Sequence, residues 1–125
     1  MATILLAEDD RAVSAFVFRA LGYRGHRVTA VPDGLAALDA LAGNRFDLLL
    51  TDIVMPGLDG IALALKVSRD YPEMRILMMT GFAAERQRAH NLDVLIHKVI
   101  SKPFTLAQIC DAVDVALTDG TVGGA

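Results

Sequence analysis

Short apolar segments alternate with helical patterns along the chain. That alternation predicts an α/β fold, a doubly wound five-stranded parallel sheet with helices on both faces. Three observations carry the prediction. Five segments read as near-continuous apolar strands, the pattern of strands buried on both sides. Between them, apolar residues recur at helical spacing and end at Gly, Pro or capping residues. Acids, a hydroxyl and a lysine then fall at the carboxyl ends of four strands, where open α/β sheets place their chemistry.

The elements follow in order. Thr3 to Ala7 reads as the first buried strand. Val13, Phe16, Val17, Ala20 and Leu21 form a helical stripe that ends at Gly22 and Gly25. Arg27 to Val31 is a short strand. Asp33 is a candidate N-cap for a helix buried through Leu35, Leu38 and Leu41. Residues 46–52 are the third strand, closed by the turn signal Pro56-Gly57. Residues 58–71 are helical and stop before Pro72, and Arg75 to Thr80 is the fourth strand. Residues 83–92 are polar and make the weakest helical pattern, and residues 94–101 hold the fifth strand. Thr105 and Gln108 form a capping box for the last helix, and Phe104 can staple onto Ile109. Its stripe is Leu106, Ile109, Cys110, Val113 and Leu117. Residues 1–117 are expected as one domain and 118–125, small and Gly-rich, as a flexible tail.

Composition narrows the function classes. A chain of 125 residues, 54% hydrophobic and 22% charged, builds one real core. Net charge is −3 with no basic run, which argues against nucleic acid. The single cysteine, Cys110, cannot form an internal disulfide and fits a cytoplasmic setting. No signal peptide is evident and no apolar stretch is long enough for a membrane.

A parallel sheet brings its strand ends to one edge, so residues distant in sequence converge there. Glu8 and Asp9 end strand one and Asp52 ends strand three. Carboxylates gathered this closely repel and titrate abnormally. A divalent cation resolves the conflict, and hard oxygen ligands select Mg²⁺. Lys102 adds a point charge suited to phosphate. Thr80 adds a hydroxyl donor. Such a site neutralises a phosphoryl group held covalently on Asp52. Each signal alone has a plain structural reading. Asp52 can open a turn, Glu8-Asp9-Asp10 can cap a helix, Thr80 precedes a glycine, and Lys102 can end a strand in solvent. Their order and their common place at strand ends favour the chemical reading, with Asp10 left as the cap.

The motifs resemble those of response-regulator receiver domains of bacterial two-component signalling. The matching text is Ile4-Leu5-Leu6-Ala7-Glu8-Asp9-Asp10, Thr51-Asp52-Ile53-Val54-Met55-Pro56-Gly57-Leu58-Asp59-Gly60, Thr80-Gly81 and Ser101-Lys102-Pro103-Phe104. The resemblance implies a flavodoxin-like fold in which Asp52 is the phosphoacceptor. It implies Asp9 as a direct Mg²⁺ ligand, Glu8 acting through water, and Val54 supplying its backbone carbonyl. Thr80 and Lys102 would hold the phosphoryl oxygens, and the Lys102–Pro103 bond is often cis in the family. The donor would be a sensor histidine kinase or a histidine phosphotransfer protein. The receiver would catalyse only its own phosphorylation and slow dephosphorylation, so it is a switch and not an enzyme with a diffusing substrate.

Three departures matter. Val99 stands where many receivers carry Tyr or Phe, so the expected lever is the Thr80–Leu92 segment instead. Val54 and Phe82 are apolar neighbours of the site and cannot orient an attacking water, which predicts a long-lived acyl phosphate. No effector domain follows Leu117, so the expectation is a stand-alone receiver that signals by binding a protein partner. The expected surface is the last two helices and strand five, with Arg86, Arg88, His90, His97 and Lys98 exposed. His26, His90 and His97 read as loop or surface residues, not ligands, and Cys110 as an inert core residue.

A narrower resemblance rests on the segments around Thr51, Thr80-Gly81-Phe82-Ala83-Ala84 and Val99-Ile100-Ser101-Lys102-Pro103-Phe104. It is to stand-alone receivers of cell-cycle control whose unphosphorylated form is a protease adaptor. Rival classes fit less well. An aspartyl phosphatase of the haloacid-dehalogenase type wants an acid at Val54, and a nucleotide-binding domain would not place three acids after its first strand. The remaining alternative is a constitutive, phosphorylation-independent binding module.

Overall fold

The computed structural model describes residues 2–90 and 98–123, and the side chains at 83, 86, 89, 90, 98 and 119–123 stand outside that description. Strands and helices alternate as β1 (Thr3–Ala7), α1 (Arg11–Tyr23), β2 (Arg27–Val31), α2 (Gly34–Gly43), β3 (Leu48–Asp52), α3 (Gly60–Asp70), β4 (Arg75–Thr80), α4 (Ala83–His90), β5 (Lys98–Ser101) and α5 (Leu106–Gly123). The strands form one parallel sheet in the order β2-β1-β3-β4-β5. β1, β3 and β4 are central, which is why they are apolar without alternation.

Successive side chains of a strand point to opposite faces, and the sheet is packed accordingly. Leu5, Leu49, Ile76 and Met78 meet Leu63 and Val67 of α3 and Ala37 and Leu41 of α2. Ile4, Leu6, Leu48 and Leu50 meet Val17 and Leu21 of α1 and Ile109 and Val113 of α5. Each of these large side chains contributes about 1.5–3 kcal/mol by leaving water.

Helix starts follow the chemistry of the caps. Asp10 Oδ1 accepts from the N–H groups of Ala12 and Val13 at 2.9 and 3.1 Å. Asp33 Oδ1 accepts from Ala36 N–H at 2.8 Å, and Asp59 Oδ1 accepts from Ala62 N–H at 2.8 Å. Thr105 and Gln108 make the reciprocal capping box at 2.8 and 3.1 Å. Phe104 packs on the core cluster that contains Ile109.

The structure departs from the sequence reading where the pattern is ambiguous. The third strand begins at Leu48 and not at 46, and the third helix begins at Gly60, because Asp59 and not Leu58 terminates the turn. Leu35 was expected in the core but is 60% exposed. α2 is apolar nearly all round, so its spacing does not say which face turns inward; the buried positions are Gly34, Ala37 and Leu41. Phe16 and Leu106 sit at the margins of their buried stripes, 39% and 41% exposed. Phe16 covers itself partly against Phe104, with ring centroids 6.3 Å apart. α5 continues past Leu117 to Gly123, through residues expected as tail. The expected strand residues 94–97 and helix residues 91–92 lie outside the described residues, as does His97.

His26 lies in the loop between α1 and β2, as the sequence suggests, but its side chain is covered and only 8% exposed. Its Nδ1 accepts from the Ala2 N–H at 3.1 Å, and its Nε2 lies 3.7 Å from Asp114. The ring therefore joins the start of β1 to α5 beside the Arg24–Asp114 pair at 3.0 Å.

Candidate functional site

The sheet carries four chemical side chains to one edge: Glu8 just after β1, Asp52 ending β3, Thr80 ending β4 and Lys102 just after β5. Register holds them level. Ala7 pairs with Thr51, Asp52 with Met79 and Thr80 with Ser101. Ladder-like bonds continue past the strands, with Glu8 N–H donating to Val31 O at 3.1 Å and Ile53 N–H to Met79 O at 3.1 Å. Lys102 N–H donates to Thr80 O at 2.8 Å.

The side chains converge. Lys102 Nζ lies 2.7 Å from Glu8 Oε1 and 3.2 Å from Asp52 Oδ2. Glu8 Oε2 accepts from the Asp10 N–H at 3.0 Å. Glu8, Asp52 and Thr80 are 2%, 7% and 2% exposed, so this is a desolvated cluster open through Asp9, which is exposed. Burial pushes the Glu8 carboxyl up to about 7, against the bonds from Lys102 and the Asp10 N–H, and the Asp52 charge pushes the same way. Burial opposes the Lys102 charge too, but its bonds to Glu8 and its attraction to Asp52 outweigh that and hold its pKa above the usual value. The lysine is firmly cationic, while the two buried carboxylates exceed what one ammonium can neutralise.

Carboxylate oxygens of Glu8, Asp9 and Asp52 lie within 4.8 Å of one another. A set of hard anionic oxygens with surplus negative charge fits Mg²⁺. Both Glu8 oxygens already accept hydrogen bonds, whereas Asp9 makes no ion pair among the described residues.

The loop after β3 explains how Asp52 is held. The Thr51 hydroxyl donates to the Asp52 carbonyl at 2.8 Å from a fully buried position. Gly57 takes a positive φ of 74°, which L side chains rarely adopt. Gly60 is pressed against the strand end: its N–H donates to Ile53 O at 2.7 Å, and a Cβ there would lie 2.0 Å from the Asp52 carbonyl oxygen. Neither Gly60 nor Thr51 was given a role by sequence reasoning. The Asp59-Gly60 pair was the available signal, since an N-cap followed by glycine marks a helix start against a close neighbour.

At β4 the Thr80 hydroxyl accepts from the Phe82 N–H at 3.0 Å and lies 3.5 Å from Phe82 O, so it is turned into its own loop. Phe82 is 62% exposed and Val54 45% exposed; Phe82 is not the packed residue that a purely structural role requires. The Lys102–Pro103 peptide is cis. Val99 packs against the core cluster of α2 and α3. Of the charged residues expected on the outer face, the side chains of Arg86, His90, His97 and Lys98 lie outside the described residues, and Arg88 is exposed but paired with Asp59 and Glu85.

Comparison with known proteins agrees with this arrangement. The family model for the response regulator receiver domain matches residues 4–114. The response regulator receiver protein CpdR of Brucella abortus is 40% identical over 117 residues, covering 94% of this chain and 98% of that protein. The chemotaxis response regulator CheY4 of Vibrio cholerae superposes with a TM-score of 0.86 at 25% identity, over 94% of this chain and 99% of CheY4. A response regulator receiver domain protein from Clostridium thermocellum superposes with a TM-score of 0.86 at 20% identity, over 98% of each chain, and speaks for the fold alone.

Proposed function

The chain belongs to the response regulator receiver family, and on that premise we propose that it is a phosphorylation switch with Asp52 as phosphoacceptor. The observation that carries the proposal is the buried cluster in which Lys102 Nζ bridges Glu8 and Asp52 at 2.7 and 3.2 Å. An Asp52 carboxylate oxygen attacks the phosphorus of a phosphohistidine on a kinase or phosphotransfer protein. The P–O bond forms, the P–N bond breaks, and the imidazole leaves with the electron pair and takes up a proton. Lys102 stays charged and binds a phosphoryl oxygen, while Thr80 rotates to donate its hydroxyl to another. Glu8, Asp9 and Asp52, with the Val54 backbone carbonyl, would hold Mg²⁺, which supplies positive charge at the transferring group. The protein's part is positioning and charge neutralisation, so we class it as a switch and not an enzyme.

The proposed output is protein binding by a stand-alone cytoplasmic receiver. Likeness to CpdR, a response regulator receiver protein that the chain matches over 98% of its length at 40% identity, supports this reading. The proposed surface is α4, β5 and α5, where a cleft of about 480 Å³ runs between Val99, Ile100, Ala112 and Val115. A protease-adaptor role belongs to the same proposal. Val54 and Phe82, both exposed beside the loops of the site, support slow hydrolysis of the acyl phosphate.

The test is intact mass after incubation with acetyl phosphate, with and without Mg²⁺, for the wild type and Asp52→Ala. A single Mg²⁺-dependent phosphoryl adduct that the variant lacks supports the proposal. A folded, Mg²⁺-binding wild type that never takes the adduct refutes it and leaves a constitutive binding module.

A further inference from the structure

We propose that Arg88 is a latch: its ion pair with Asp59 ties α4 to the cap of α3 and opposes the movement that phosphorylation of Asp52 demands. The inference rests on the phosphoacceptor reading of Asp52 and the phosphoryl-binding reading of Thr80.

The described side chains of α4 at Ala84, Gln87 and Arg88 are exposed and Glu85 is half-buried, so no described residue of α4 enters the core. Arg88 Nη2 reaches Asp59 Oδ2 at 3.3 Å, across 29 residues of sequence, and Arg88 Nη1 bonds to Glu85 one turn earlier. Asp59 is not an ordinary surface acid. Its other oxygen caps α3 through Ala62 N–H at 2.8 Å, and its neighbour Gly60 is wedged against the Asp52 carbonyl. The contact therefore links α4 to the loop that carries the phosphoacceptor.

The other end of α4 is linked to the same chemistry. Ala83, its first residue, follows Thr80-Gly81-Phe82, and Thr80 now spends its hydroxyl on Phe82. Turning that hydroxyl toward a phosphoryl oxygen releases Phe82 and lets the loop and the start of α4 follow, with Gly81 free to absorb the dihedral change. Arg88 lies one to two helical turns from that start, so a moving α4 either breaks the pair with Asp59 or drags the cap of α3 with it. The pair thus favours the unphosphorylated arrangement. Whatever stabilises the resting arrangement lowers the population of the moved one, and transfer that proceeds from the moved arrangement slows in proportion.

The pair is exposed, at 49% and 34% for its side chains, so the factor is modest. Exposed ion pairs shift an equilibrium by roughly 1.5- to 5-fold. The experiment uses the full chain and four proteins: wild type, Arg88→Met, Asp59→Asn and the double variant, with Arg88→Lys as rescue. Asn keeps the capping oxygen at Asp59 while removing its charge. The first readout is hydrogen–deuterium exchange of the α4 amides without any phosphodonor. The second is the rate of phosphoryl adduct formation with acetyl phosphate and Mg²⁺ at low and high salt.

Arg88→Met should speed both α4 exchange and adduct formation about 1.5- to 5-fold. Adding Asp59→Asn should change little more, Arg88→Lys should restore part of the effect, and high salt should bring the wild type toward Arg88→Met. Unchanged α4 exchange in Arg88→Met, or single effects that simply add in the double variant, overturns the latch. A wild type that takes no adduct refutes the phosphoacceptor reading, and the latch as a control on phosphorylation falls with it. Altered exchange would then mark only a structural tether.

Discussion

Gly60→Ala tests how Asp52 is held, because the outcome runs against the usual rule for helices. In an open helix, replacing glycine by alanine stabilises by about 0.5–1 kcal/mol. At Gly60 the new Cβ would lie 2.0 Å from the Asp52 carbonyl oxygen and 2.8 Å from Ile53 Cα. Both are backbone atoms of a central strand end, so no side chain can rotate away. Comfortable contact needs the start of α3 to retreat by roughly 1 Å or more. That retreat stretches the Gly60 N–H to Ile53 O bond, now 2.7 Å, whose loss costs about 1 kcal/mol. Overpacking adds about 1–3 kcal/mol. Set against the helix gain, the net loss is about 1–3.5 kcal/mol, or a drop in Tm of roughly 4–15 °C for a domain of this size. Urea unfolding followed by circular dichroism reads the stability, and intact mass after acetyl phosphate treatment reads the site. The variant should unfold at lower urea and take up phosphoryl more slowly, since the Asp52 backbone moves with the strain. A Gly60→Ala protein as stable as the wild type, phosphorylated at the same rate, would show that the close approach does not position Asp52.

The remaining predictions concern charge and one buried ring. In Mg²⁺-free buffer the Glu8 carboxyl titrates at about 7 in the folded state, against 4.5 as its ordinary value. The folded protein then holds a proton that the unfolded chain has lost, so this group's contribution to stability falls as pH rises from about 4.5 to 7. The full effect is about 3 kcal/mol; Glu8→Gln should flatten the pH profile of the urea midpoint, and an unchanged profile refutes the assignment. Mg²⁺ should raise the melting temperature in proportion to the logarithm of its concentration above Kd, more at pH 8 than at pH 5.5, because the metal competes with the Glu8 proton. Asp52→Asn should remove most of that Mg²⁺ response, and an equal response in both proteins would move the metal site elsewhere. His26→Ala should cost about 1–3 kcal/mol in urea unfolding, because the Ala2 N–H loses its acceptor in a covered position; a neutral substitution would show that the ring does not tie β1 to α5.

Legibility in the sequence depended on which constraint was local. The three central strands could be read because they are apolar with little interruption, and that follows from burial on both faces; the edge strand β2 is largely exposed and was legible only from its place between turn signals. The caps at Asp10, Asp33 and Thr105 could be read because capping needs only a side chain and an amide two or three residues on. The convergence of Glu8, Asp52, Thr80 and Lys102 could be inferred because parallel topology brings strand ends to one edge. What stayed hidden depends on rotation about a helix axis or on reach across the fold. Leu35 and Leu38 are equally apolar, and only tertiary packing decides that Leu35 faces outward. His26 is a loop residue whose covered ring could not be foreseen, because its partners, Ala2 and Asp114, are remote in sequence. Arg88 looked like a free surface charge because Asp59 is brought to it by the sheet.

The arrangement of charge explains why the site needs help from outside the chain. Among the described residues, Lys102 is the cation within ion-pair reach of Glu8 and Asp52. It faces two buried carboxylates with a third, Asp9, at the rim. In the resting state burial pushes the Glu8 carboxyl up to about 7 and the Asp52 charge adds to that, so protonation of Glu8 relieves part of the excess. That remedy fails on phosphorylation, because an acyl phosphate on Asp52 brings further negative charge to the same volume and its oxygens draw on the same lysine. Protonating Glu8 cannot hold those oxygens; a second positive charge with oxygen affinity can. A divalent cation on the Glu8, Asp9 and Asp52 oxygens would replace the proton before transfer and remain to neutralise the product. On this argument a phosphoryl group on Asp52 would be held by Lys102 together with an exchangeable cation on the Glu8, Asp9 and Asp52 oxygens.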